Sequence, residues 1–140
     1  MRDAHMGELK PDVWLRPANI AGPDPADDVL LTRGSLEGRD PVDLATELWA
    51  VDDLRGEGKK LIRIAGEALH TLTAGDASVL PDTFMTSVAV VRYLLADPQL
   101  PSELVGHGWP AIELRPAYDE LERAHGRVLS TFLAQAMTGT

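Results

Sequence analysis

With 140 residues, 44% of them hydrophobic and 25% charged, the chain is the size of one domain and has an ordinary globular composition. Thirteen basic against 22 acidic residues leave a net charge of −9, which opposes nucleic acid unless cations cluster; the tightest cluster, Lys59, Lys60 and Arg63, is small against that charge. There is no cysteine, which excludes disulfides, thiolate metal sites and a cysteine nucleophile and fits a cytoplasmic location. The charged opening MRDAHMGELK lacks the apolar stretch of a signal peptide, and uninterrupted apolar runs are far too short for a membrane span.

In chain order, residues 1–11 read as a flexible lead-in. Val13, Trp14 and Leu15 form a short β-prone run closed by Arg16-Pro17, where the proline has no N–H to donate to a ladder. The stretch ANIAGPDPADD (18–28) is a connector with room for one helical turn at Pro25–Asp28. Val29–Thr32 make a second short strand, and Gly34–Gly38 a loop. Asp40-Pro41 starts a helix: Asp as N-cap accepts an orphan N–H, and Pro at N1 has none to satisfy. Leu44, Leu48 and Val51 continue it with Trp49 alongside. A second helix, about Asp52 to Leu72, aligns Leu54, Leu61, Ala65, Leu69 and Leu72. Gly56, Gly58 and Gly66 each weaken it by roughly 1 kcal/mol relative to alanine, so a bent or late-starting helix is expected.

After the turn TAGDASVLPD, a third helix is expected over Pro81–Ala96, with Phe84, Val88, Val91 and Leu95 facing inward. The last helix carries Ala117, Leu121, Ala124, Val128 and Phe132 on one side and charges on much of the rest. Pro116 is either its first residue or a kink. The expectation is a mainly helical α+β fold, with two strands followed by about four helices. An isolated strand pair is marginal in water and needs further strands or a helix cover.

The usual chemical motifs are missing. His5, His70, His107 and His125 show no HExxH and no i, i+4 pair, and Asp27-Asp28 and Asp52-Asp53 are adjacent carboxylates whose side chains diverge on a helix. RGEGKKL (55–61) looks like a phosphate loop but has the wrong glycine spacing, a lysine where Ser or Thr belongs, and a helical lead-in instead of a strand. No serine stands in a G-x-S-x-G elbow. No metal site and no cofactor is expected. Trp14, Trp49 and Trp109 read more readily as core than as ligand platforms. Arg92, in an otherwise apolar stretch, is either a snorkelling arginine or an anchor for a carboxylate or phosphate.

Three stretches in order, DVWLRPANI, RDPVDLATELWAVDDL and RYLLADPQLPSELVGHGWPAIELRPAYDEL, resemble the PaaX family of bacterial transcriptional repressors. The most specific match is Asp97, Pro98, Leu100, Pro101, Glu103, Leu104, Trp109 and Pro110, at the spacing of the family's D-P-x-L-P-x-E-L-L-P-x-x-W-P-G pattern. The resemblance covers roughly residues 12–133. It departs at Gly106, where the family has proline, at Ala111, where it has glycine, and at Gly56 and Gly58, in a helix the family keeps continuous.

The resemblance implies residues 12–38 as the remnant of a ferredoxin-like middle domain and 39–137 as a C-terminal helical domain. The family's winged-helix DNA-binding domain has no counterpart in these 140 residues. It further implies homodimerisation and response to a small-molecule effector of the acyl-CoA class, without DNA binding by this chain alone. The candidate ligand-binding residues are Arg16, Asn19, Trp49, Arg92 and Trp109. Trp109, between Pro101 and Pro110, is first of all a structural plug. The alternative is an enzyme or small-molecule-binding protein that reuses the same scaffold, since fold does not fix function.

Overall fold

The computed structural model describes residues 5–22 and 29–139. It is a mainly helical α+β structure: β1 (Gly7–Lys10), β2 (Val13–Leu15), α1 (Pro41–Trp49), α2 (Val51–Thr73), a 3-10 turn (Ala77–Val79), α3 (Leu80–Ala96), α4 (Ser102–Val105) and α5 (Pro110–Thr138). The chain forms two compact units, Met1–Leu54 with Asp97–His107, and Arg55–Ala96 with Gly108–Thr140. These units cut across the expected segments 12–38 and 39–137.

In the first unit, β1 and β2 pair antiparallel, Gly7 opposite Leu15 and Glu8 opposite Trp14, around a turn in which Asp12 takes φ 64°. Aspartate tolerates that left-handed conformation better than most residues. The pair differs from the expected one on both sides. Gly7–Lys10 belong to a strand and not to a flexible lead-in, whereas Val29–Thr32 form no strand, and Leu30 is 98% exposed. A β-prone tetrapeptide with no neighbouring ladder has nothing to pair with. The helical turn expected at Pro25–Asp28 lies outside the described residues.

The cover that a two-stranded unit requires is α1. Gly7 lies so close to it that a Cβ there would stand 3.0 Å from both the Leu48 Cβ and the Trp49 ring, and the Trp49 indole N–H donates to the His5 carbonyl at 3.3 Å. Asp40 caps α1 as its sequence requires, its carboxylate accepting the Asp43 N–H at 3.0 Å with Pro41 at N1.

Helix α2 runs without a break from Val51 to Thr73, so it does not start late. Its buried stripe is Leu61, Ala65, Ala68 and Leu72. Gly58 explains part of the glycine content: a Cβ there would lie 2.5 Å from the Tyr93 hydroxyl, 2.7 Å from the Pro110 Cγ, and closer still to the Pro110 Cβ. The glycine permits close approach of other chain segments, and that packing outweighs its poor propensity.

Helix α3 corrects the expected orientation. Its buried residues are Thr83, Ser87, Val90 and Tyr93, whereas Phe84 and Leu95 are 54% and 73% exposed. The hydroxyl of Thr83 donates to the Val79 carbonyl at 2.8 Å, one turn back at the end of the 3-10 turn, which lets a polar residue face inward at little cost. Helix α5 runs antiparallel to α3, with Leu80 beside His125 and Tyr93 and Pro110 both beside Gly58. It buries Leu114, Leu121, Ala124 and Val128 as its periodicity requires, but Phe132 is 47% exposed. It begins at Pro110, so Pro116 lies inside it.

Candidate functional site

The five candidate residues fall into separate environments. In the first unit, Arg16 and Asn19 come together on the loop that follows α3. The Arg16 guanidinium donates to the Pro17 carbonyl at 3.1 Å, the Asn19 side-chain oxygen at 3.3 Å and, at a long 3.5 Å, the Pro98 carbonyl. The Asn19 amide donates to the Gln99 carbonyl at 2.7 Å. Partial burial lowers the Arg16 pKa from its ordinary value, because desolvation disfavours the cation. These bonds tie residues 16–19 to residues 98–99.

The same loop is folded by the motif residues. Asp97 is 3% exposed, and its carboxylate accepts the Gln99 N–H at 3.1 Å in an Asx turn that holds Gln99 at φ 54°. Leu100 and Val105 are buried, and Pro101 is the N-cap of α4. Gly106 has φ 75°, a value closed to proline, whose ring locks φ near −65°. Its difference from the family pattern therefore coincides with a loop path that the family's proline cannot follow. Trp49, in this unit too, is spent on Gly7 and His5.

In the second unit, Trp109 is the N-cap of α5 and is 5% exposed. Arg55 lies over its ring, 5.4 Å from the centroid, in cation–π geometry. The indole is a packing element, not an open platform. Arg92 is exposed and lines a surface groove with Phe84, Val88, Val91, Tyr118 and Glu122. At one end of it the Phe84 ring stands 6.1 Å from that of His125, whose Nε2 is 3.2 Å from the Leu80 carbonyl.

The sequence did not single out Asp97 as a turn-former, Arg55 as the partner of Trp109, or Tyr118 and Glu122 as groove residues. Tyr118 and Glu122 stand four apart on one helix face, a signal that gains meaning only once α3 is known to lie beside it. Among the described residues no group of three or more His, Asp or Glu side chains is placed to hold a metal ion. One described helix, Ala77–Ala96, is long and apolar enough to cross a membrane by length and composition, although no uninterrupted apolar run is.

No family model and no curated protein matches the chain. Among solved structures it is similar to the uncharacterized protein Rv0674 from Mycobacterium tuberculosis, with a TM-score of 0.64 and 33% identity over 93% of this chain and 52% of that one. The chain thus spans about half the length of that protein.

Proposed function

We propose that the chain is a non-enzymatic regulatory module of the PaaX type, which dimerises and responds to a small molecule of the acyl-CoA class without binding DNA itself. The observation that carries this reading is the behaviour of the motif residues. Of the eight, Asp97, Pro98, Leu100, Trp109 and Pro110 are buried, Pro101 and Leu104 half-buried and Glu103 exposed, in the connection between α3 and α5. A chance match in a surface loop would leave such residues exposed. Tying of this loop to Arg16 and Asn19 brings a second matching stretch, DVWLRPANI, against the first. A net charge of −9 supports the absence of DNA binding by this chain.

Native mass spectrometry of the freshly purified protein, followed by isothermal titration with phenylacetyl-CoA, tests the reading. A ligand-free homodimer that binds the thioester is expected. A monomer with a tightly held co-purified small molecule, or turnover of the thioester, overturns it in favour of an enzyme or carrier on the same scaffold. Fluorescence anisotropy with a promoter-length duplex at moderate salt is expected to show only weak binding; sub-micromolar, sequence-selective binding also overturns it.

A further inference from the structure

Dimerisation needs a surface, and the strands offer little of one. β1 and β2 have four and three residues, and 29–32 add no third strand, so the free edge is short. Eight of the fourteen large apolar side chains exposed among the described residues lie on α3 and α5. On α3, Phe84 and Leu95 are exposed and Val88 and Val91 half-buried, on a side distinct from the one that buries Thr83, Ser87, Val90 and Tyr93. On α5, every residue from Leu129 to Thr138 is exposed, Leu129, Phe132 and Leu133 among them, and this stretch carries no charge.

We propose that this α3–α5 face is where two copies of the chain pair about a two-fold axis. The proposal rests on the dimeric reading above and gives it a location. Two observations select a second copy as the occupant. The first is charge. The groove is lined by one cation, Arg92, and one anion, Glu122, among otherwise uncharged residues, and neither has an ion-pair partner among the described residues. In the proposed arrangement Arg92 of each copy faces Glu122 of the other, a contact that the two-fold axis applies twice. The groove has no net charge in a chain of −9, so two acidic copies meet where their repulsion is least.

The second observation is area. Taking about 200 Å² for a fully exposed large apolar residue, the exposed parts of Phe84, Met85, Leu95, Leu129, Phe132 and Leu133 amount to on the order of 650 Å², and with Val88, Val91 and Tyr118 approach the roughly 800 Å² per partner of a standard interface. A lipid surface fits less well, because the groove's one cation, Arg92, is balanced by Glu122 and there is no basic polar face for anionic headgroups.

Sedimentation velocity of the full chain at tens of micromolar, in wild type, Arg92→Glu, Glu122→Arg and the double variant, tests the interface. The wild type is expected to be dimeric. Each single variant sets like charges opposite each other twice and is expected to raise the dissociation constant by more than about tenfold. The double variant restores opposite charges across the axis and is expected to recover the dimer, with all variants keeping the wild-type circular dichroism spectrum. Phe84→Lys is expected to give a monomer with an unchanged circular dichroism spectrum.

A dimer indifferent to all four variants overturns the interface and leaves the dimeric reading standing. A wild type that is monomeric overturns both, and one that is monomeric in buffer yet cosediments with phosphatidylcholine vesicles assigns the face to lipid instead.

Discussion

Replacing Gly58 with alanine sets two opposed effects against each other inside one helix. In an exposed helix interior, Gly→Ala stabilises by up to about 1 kcal/mol, because glycine loses more backbone freedom on folding. At Gly56 and Gly66 nothing lies within 4 Å of an added Cβ, so Gly56→Ala and Gly66→Ala are expected to show that gain. At Gly58 the same methyl group would stand 2.5 Å from the Tyr93 hydroxyl and 2.7 Å from the Pro110 Cγ, well inside the roughly 3.5–4.0 Å of an ordinary carbon contact. Tyr93 can shift its ring end, but the pyrrolidine of Pro110 is tied to the start of α5 and can move only with it.

Overpacking of this kind costs typically about 1–3 kcal/mol, which exceeds the propensity gain. Gly58→Ala is therefore expected to destabilise by about 1–2 kcal/mol net while its two neighbours stabilise. Urea unfolding followed by circular dichroism, with all three variants compared at constant m-value, measures the difference. If Gly58→Ala were as stable as Gly56→Ala, the close packing of α2 against Tyr93 and Pro110 would be wrong.

Trp109→Ala is expected to cost about 3–5 kcal/mol in the same assay, as large aromatic truncations in cores do; a loss under about 1 kcal/mol would mean that the indole is not the packing element described. Leu30→Lys is expected to leave both stability and sedimentation unchanged, since Leu30 is 98% exposed and outside any strand; a shift of the dimer equilibrium would instead place residues 29–32 in the interface. Asp76 is held below the usual carboxylate range first by the Ser78 N–H at 2.9 Å and then by the Ser78 side chain. A depressed folded-state pKa contributes stability that is present above the unfolded-state pKa and is lost as pH falls through the folded one. The stability difference between wild type and Asp76→Asn should accordingly shrink on acidification, as followed by urea melts across that acidic range, and a difference that widens there contradicts the assignment.

What was legible in the sequence was local. Asp40-Pro41 starts α1 because cap and first-turn proline act within one turn. The buried side of α5 follows from the spacing of Leu121, Ala124 and Val128, and Trp109 is buried between prolines as its position implies. The candidate ligand residues were named by type, and type did not place them: Arg16, Asn19 and Trp49 are hydrogen-bonded to backbone carbonyls of the same chain, whereas Arg92 lies open in a groove.

The tertiary structure decided whatever depended on a distant partner. GELK carries no strand pattern, yet Gly7–Lys10 pair with Val13–Leu15 because α1 covers them at Gly7, while VLLT, with a better β composition, has no ladder to join. Glycines that argue against a helix are kept in α2, and at Gly58 the reason is two residues from other parts of the chain. In α3 the apolar spacing was real and its direction was not. Periodicity states that Phe84, Val88, Val91 and Leu95 share a face, but burial of that face depends on what meets it: Thr83, Ser87, Val90 and Tyr93 are buried, whereas Val88 and Val91 are only half-buried along a groove edged by α5 and Phe84 and Leu95 are exposed.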